Sequence, residues 1–126
     1  MKVVIADDSS TIRIKMARFI KDLGHSVVGE AENGYEAIKL TNETEPDLVT
    51  LDLVMPELDG LSALKAIRSQ NKTVLIVMVS SAATLANEAA AQKAGANGFL
   101  KKPFDKDSLR RILEQITHSV HRGDAA

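Results

Sequence analysis

Five short apolar runs alternate with five helix-length stretches, and that strict alternation constrains the fold more than any other feature of the chain. The runs are VVIA (3–6), VVGEA (27–31), LVTL (48–51), VLIVMV (74–79) and NGFL (97–100). A short, nearly continuous apolar run reads as a strand buried on both faces. Between the first two runs, Ile12, Met16, Phe19, Ile20 and Leu23 recur at helical spacing. Ser9, Ser10 or Thr11 can cap that helix, and Gly24 closes it. Asn33-Gly34 is a turn before a modest helix over about 35–43, with Ala37, Ile38 and Leu40 as contacts. Pro46 opens the third strand and Asp59-Gly60 turns into a helix marked by Leu61, Leu64 and Ile67. An alanine-rich helix over 84–94 ends at Gly95. The last helix starts near Asp105, with Asp105 or Asp107 as N-cap, and its core face is Leu109, Ile112, Leu113, Ile116 and Val120. The RGDAA tail after His121 is expected to fray. Alternation of this kind predicts a doubly wound α/β domain: a five-stranded parallel sheet, right-handed crossovers, helices on both faces.

A chain of 126 residues with 44% apolar content can bury one core, and residues 1–126 are expected to form a single domain. Aromatics are 3%, so that core is Val, Ile, Leu and Ala with methionine filler. The formal net charge of −1 gives no basic field for nucleic acid. The absence of cysteine removes disulfides, thiol chemistry and thiolate metal sites, and fits a cytoplasmic protein. The opening apolar run meets two aspartates at once, so it is neither a signal peptide nor a membrane span.

Function is read from the strand ends. Strand one ends in Asp7 and Asp8, strand three in Asp52, strand four in Ser80 and strand five in Lys102. In a parallel sheet these ends share one edge, where α/β folds build their sites. Glu30 and Glu32 of strand two are weaker candidates for the same rim. Two carboxylates about 4 Å apart repel by roughly 4 kcal/mol at an effective dielectric near 20. Lys102 offsets part of that charge, and a divalent cation offsets the rest. Oxygen donors with no nearby His or Cys select a hard ion, and Mg²⁺ fits best because it takes one or two carboxylates and keeps waters and phosphate oxygens. Lysine, a hydroxyl and Mg²⁺ are all partners of phosphoryl oxygens, and a carboxylate can be the phosphoryl nucleophile. The site therefore predicts phosphoryl transfer onto an aspartate. Asp52, alone at the end of a central strand, is the better nucleophile, and the paired Asp7-Asp8 suit the metal.

The residues VVIADDSS, AENGYEA, PDLVTLDLVMPELDG, VMVSS and GANGFLKKPF resemble, in order and over nearly the whole chain, the receiver domain of two-component response regulators. The resemblance is strongest to the single-domain, chemotaxis CheY-like type. It implies the flavodoxin-like strand order 2-1-3-4-5, of which CheY is itself a standard example; no spacing in this chain yields that order. It also implies that Asp52 is the phospho-acceptor and that Asp7, Asp8, Asp52 and the Val54 carbonyl hold Mg²⁺, Asp8 directly. Ser80 would be the switch hydroxyl, Phe99 the switch aromatic and Lys102 the phosphate-binding lysine, with Lys101 pointing elsewhere. A cis Lys102-Pro103 bond is implied too. The partners implied are a sensor histidine kinase and a downstream protein, such as a flagellar motor switch, that reads helix 4, strand 5 and helix 5. No output domain is expected, and the only chemistry catalysed is the domain's own phosphorylation and dephosphorylation.

Phe99 and Ser80 replace a common Tyr and Thr. Val54 and Ala82, two residues past the acceptor and the switch hydroxyl, are apolar and cannot orient a hydrolytic water, so slow self-dephosphorylation is expected. An aspartate-nucleophile phosphatase would place a carboxylate where Val54 stands and would need a cap region. A nucleotide- or flavin-binding module would want a Gly- or Ser/Thr-rich phosphate loop where Asp7-Asp8 stand. A phosphorelay intermediate, a regulator of a separate enzyme and a non-phosphorylated scaffold are the remaining readings. His25 reads as a turn residue. His118 and His121 lie near the chain end with a minor claim to metal or phosphotransfer chemistry, and Arg110-Arg111 read as solvated. The alanines at 82, 83, 86, 89, 90, 91 and 94 are expected to permit close helix packing, with little bulk anchoring that helix.

Overall fold

A computed structural model describes the backbone of residues 1–125 and the side chains of residues 1–118. Five parallel strands, β1 (Lys2–Ala6), β2 (Ser26–Ala31), β3 (Leu48–Asp52), β4 (Leu75–Ser80) and β5 (Gly98–Lys101), lie in the order β2-β1-β3-β4-β5. The helices between and after them are α1 (Ser10–Asp22), α2 (Gly34–Thr44), α3 (Gly60–Gln70), α4 (Leu85–Lys93) and α5 (Lys106–Ala125). Every predicted element is present, and apart from the far end of the last helix their ends are displaced by one or two residues.

The caps explain those ends. The side chains of Ser9, Asn33, Asp59 and Thr84 each accept a hydrogen bond from the amide three residues on, so each helix starts one residue later. At α5 the cap is Asp105, not Asp107: Asp105 accepts from the Ser108 amide at 2.7 Å, and Ser108 Oγ accepts from the Asp105 amide at 3.1 Å. Gly24 and Gly95 have φ of +90° and +109°, and each closes its helix with the paired amide-to-carbonyl bonds of a left-handed cap. The helical backbone of α5 runs past His121 to Ala125, through Gly123. The expected core role of Val120 and the fate of Ala126 fall outside the described residues.

Strand alternation splits the core in two. Val3, Ile5, Leu48, Val77 and Val79 meet Met16 and Ile20 of α1 and Leu109, Leu113 and Ile116 of α5. Val4, Val49, Leu51, Ile76 and Met78 meet Ala37 of α2, Ala63, Leu64 and Ile67 of α3 and Ala91 of α4. Edge strand β2 is only partly covered and carries a bulge opposite Val3/Val4. Of the expectation for the alanine-rich helix, the close packing fails and the scant anchoring holds. Of α4 only Ala91 is buried, while Ala86, Ala89 and Ala90 stand exposed. Alanines on all sides give α4 its helicity but no stripe with which to dock.

Gly60 sets the third strand-helix joint. A Cβ there would lie 2.0 Å from the Asp52 carbonyl oxygen and 2.8 Å from Leu53 Cα. Only glycine lets α3 begin against the end of β3. Gly60→Ala is expected to lower the unfolding free energy by about 3 kcal/mol, because backbone rather than a flexible side chain must give way. A urea midpoint equal to that of the unsubstituted chain would show that the joint relaxes freely.

Candidate functional site

Alternation along the strands also aims the polar ends. Asp7 continues the face of Val3 and Ile5, Asp52 that of Leu48 and Thr50, and Lys102 that of Leu100. The three meet at the carboxyl edge of the sheet. Lys102 Nζ stands 2.8 Å from Asp7 Oδ2 and 3.4 Å from Asp52 Oδ2. Asp7 and Asp52 are 3% and 5% exposed, so this lysine answers two buried carboxylates. Asp8 is exposed, and its carboxylate joins those of Asp7 and Asp52 in a group in which one oxygen from each lies within 4.8 Å of the other two. Lys101 points away into solvent, as alternation requires.

The charge balance is unfavourable as it stands. Burial, and next the charge of Asp7, push the Asp52 carboxyl up to about 6, against the opposing pull of Lys102 and of the Val54 amide, which donates to Asp52 Oδ1 at 3.4 Å. For Lys102, burial acts to lower the ammonium, but the bonds and charges of Asp7 and Asp52 outweigh it and hold it above the ordinary lysine value. Three carboxylates face one ammonium, all protein donors are oxygens, and one acid is open to solvent. That donor set fits a hard divalent cation such as Mg²⁺. Val54 lies in the loop after β3, where its amide donates to Asp52 and the residue is 67% exposed.

Ser80 and Phe99 fall on the opposite face, with Ile76 and Met78. Ser80 is 1% exposed, and its Oγ accepts from the Ala82 amide at 2.9 Å. Phe99, in register with Met78, is half-buried under α4. The main chains join the two sets: the Lys102 amide donates to the Ser80 carbonyl at 2.9 Å and the Leu53 amide to the Val79 carbonyl at 3.2 Å. The Lys102-Pro103 bond is cis, and Phe104 beyond it packs edge-on to Phe19 at 6.2 Å, beneath Lys15 Nζ.

Glu30 and Glu32 do not join the pocket. Both turn to Arg13, at 3.5 Å each. Sequence reasoning passed over Arg13. Its guanidinium reaches the Asp7 carbonyl at 2.8 Å, and the signal available was its place one helical turn after the Ser9 cap. His25 accompanies the turn after α1, where its Nδ1 is 2.9 Å from the Met1 amine. His118 is exposed on α5, and the His121 side chain lies outside the described residues. Arg110 and Arg111 are exposed but paired, Arg110 with Glu114 at 3.0 Å and Arg111 with Asp107 at 3.1 Å.

The response regulator receiver domain family matches residues 3–114. The chain is 40% identical over 115 residues to the chemotaxis protein CheY of Listeria monocytogenes, covering 91% of this chain and 97% of that one. It is 38% identical over 120 residues to CheY of Bacillus subtilis, covering 95% and 98%. Among solved structures, the CheX-CheY-BeF3-Mg²⁺ complex of Borrelia burgdorferi superposes with a TM-score of 0.91 at 25% identity, covering 93% of this chain and 89% of that one.

Proposed function

The chain belongs to the response regulator receiver domain family, and from that premise we propose that residues 1–126 act as a single receiver domain that takes a phosphoryl group onto Asp52. The observation that carries this reading is the buried Asp52 carboxyl, clustered with Asp7 and Asp8 and bridged to Asp7 by Lys102. The 40% and 38% identity to CheY proteins supports a role in chemotaxis.

In the proposed reaction an Asp52 carboxylate oxygen attacks phosphorus as the bond from phosphorus to the donor's leaving atom breaks, giving an acyl phosphate on Asp52 and the freed donor. The donor is a phosphohistidine of a sensor kinase or a small acyl phosphate. Asp7, Asp8, Asp52 and the Val54 carbonyl would hold Mg²⁺, which when bound neutralises charge on the phosphoryl oxygens. Lys102, freed from Asp52, turns its ammonium to one of those oxygens. Ser80 Oγ leaves the Ala82 amide for another, and Phe99 moves into the space so opened. The chain's only catalysis is then of its own phosphorylation and dephosphorylation.

A protein donor is supported by the rim. The large apolar side chains exposed among the described residues are Ile14, Tyr35, Val54 and Leu85. Tyr35, Val54 and Leu85 lie in the loops or first turns that follow β2, β3 and β4, and Ile14 in the second turn of α1, all on segments that follow the carboxyl ends of the strands. Output is a protein contact on α4, β5 and α5, where a groove of about 290 Å³ is floored by Phe99, Ala91 and Ile112. A shift between two populations of this surface carries the signal. A flagellar motor switch is the proposed reader, and the cytoplasm the proposed compartment. No described helix is long and apolar enough to cross a membrane.

Intact mass after incubation with acetyl phosphate and Mg²⁺ tests the reading. A phosphoryl adduct that EDTA prevents is the expected result, and no adduct with any donor would return the domain to the scaffold reading. The adduct should be long-lived, since the side chains of Val54 and Ala82 offer no polar atom to a hydrolytic water. Val54→Asn is expected to shorten its life by about tenfold by orienting that water. Loss of the phosphoryl group at one rate from both forms would place the control elsewhere.

A further inference from the structure

The phosphoryl chemistry leaves one largely buried cation at the rim without a role. Arg13, with a side chain 14% exposed, donates from Nη1 to the Asp7 carbonyl oxygen at 2.8 Å. Glu30 flanks its Nε and Glu32 its Nη2, each at 3.5 Å. Asp7 is thereby held at every polar atom. Its amide donates to the Ala31 carbonyl at 3.0 Å, Oδ1 accepts from the Ser9 amide at 2.9 Å, Oδ2 faces Lys102 at 2.8 Å and its carbonyl faces Arg13.

The Asp7 carbonyl belongs to the peptide plane that leads into Asp8. Asp8 is exposed, so the plane that precedes it aims its carboxylate. Release of the carbonyl lets that plane turn and carries the Asp8 carboxylate away from Asp7 and Asp52. We propose that Arg13 is a positioning residue for the metal site: by clamping the Asp7 carbonyl against the end of β2 it keeps the Asp8 carboxylate facing the cluster. Glu30 and Glu32 orient the guanidinium and cancel its charge, so the clamp does not repel the cation it prepares for. The proposal rests on the metal reading of Asp7, Asp8 and Asp52.

A charge effect and a positioning effect have opposite signs. Loss of Arg13 leaves Glu30 and Glu32 unanswered near the pocket, which through charge alone would tighten a divalent cation. Loss of an orienting partner behind a ligand weakens metal binding, commonly by 10- to 100-fold. The experiment is Mg²⁺ titration by calorimetry, and Mn²⁺ by electron paramagnetic resonance, on the full chain. Arg13→Met, which keeps the apolar stem, is expected to bind about tenfold more weakly. Arg13→Lys, able to reach the same carbonyl with one donor, is expected to recover most of the loss. The Asp8 amide resonance should move in Arg13→Met and return toward its original position in Arg13→Lys. Phosphorylation by acetyl phosphate should need about tenfold more Mg²⁺ for half-saturation while the rate at saturation is kept.

Equal or tighter Mg²⁺ binding by a folded Arg13→Met overturns the proposal. If Arg13→Met does not fold, Glu30→Gln with Glu32→Gln, which frees the guanidinium to swing off the carbonyl, must move the Asp8 amide resonance in the metal-free chain or the proposal falls. An unsubstituted chain that binds neither ion removes the metal reading itself, a failure visible before any variant is made.

Discussion

Asp52→Asn is expected to lose all phosphoryl incorporation and, at pH 7.5 without metal, to unfold at higher denaturant than the unsubstituted chain. Both effects have one cause. The carboxyl that must attack phosphorus is held in a pocket that disfavours its charge: burial first, then the charge of Asp7, push it up to about 6. An unfolded aspartate titrates near 3.9. Between those values the folded state holds more protons than the unfolded state. Stability therefore falls as pH rises from about 4 to about 6, and above that the whole cost of the buried charge is present. Two pKa units correspond to about 3 kcal/mol, the upper end of what the amide should recover at pH 7.5. Asn also lacks the fall between pH 4 and 6. Urea unfolding at pH 4.5 and 7.5 for both proteins reads these differences, and intact mass after acetyl phosphate and Mg²⁺ reads the chemistry. Equal stabilities at pH 7.5 would mean that Lys102 already cancels the cost, and a phosphoryl adduct on Asp52→Asn would move the acceptor to another residue. Mg²⁺ should raise the melting temperature of the unsubstituted chain more than that of Asp52→Asn, because in the variant less charge is left to neutralise.

What was legible in the sequence followed one rule. The runs at 3–6 and 74–79 are apolar throughout, and that at 48–51 is apolar but for Thr50, because β1, β3 and β4 are covered on both faces, and a polar residue ends each run where cover stops. Asp7, Asp52, Ser80 and Lys102 could be placed on one edge by that reasoning alone. Parity within the strands also separates the pocket of Asp7, Asp52 and Lys102 from Ser80 and Phe99, although it shows only once the strand ends are fixed. Contacts between a side chain and a distant backbone carbonyl leave no such trace. Arg13 reaches the Asp7 carbonyl, and Arg68 of α3 reaches the carbonyls of Gly95, Asn71 and Val74 at 2.6–3.1 Å. Neither arginine stands out from the other basic residues on its helix. Glu30 and Glu32 were drawn toward the acidic rim for the same reason: the cation that takes them was not visible. The alanines of α4 misled in another way, since small residues are equally suited to close packing and to no packing at all.

Lys102→Ala should produce the largest loss of stability at the site. Removing the ammonium leaves Asp7 and Asp52 buried and facing each other with no cation, and breaking such a group from one side costs about 3 kcal/mol or more. The loss should depend on pH in a definite direction. Asp52 already sits high at about 6 through burial and the charge of Asp7, and losing the opposing pull of Lys102 raises it further. Near pH 5 it takes up a proton and relieves the repulsion, so the gap between variant and unsubstituted chain narrows. Near pH 8 the gap is full. Lys102 itself, held above its ordinary value, supplies its stabilisation throughout this window and loses it only as pH rises through that raised value. Mg²⁺ should then stabilise Lys102→Ala more than it stabilises the unsubstituted chain, because a divalent cation replaces the missing charge. The rate of phosphorylation should nevertheless fall by about 10²–10³, since the metal cannot occupy both its own position and that of the ammonium on the transferring oxygens. Stopped-flow phosphorylation at saturating Mg²⁺ and urea unfolding at pH 5 and 8 separate the two roles. A stability loss that is the same at both pH values, with no added gain from Mg²⁺, would assign Lys102 to packing through its stem rather than to holding the acidic pocket together.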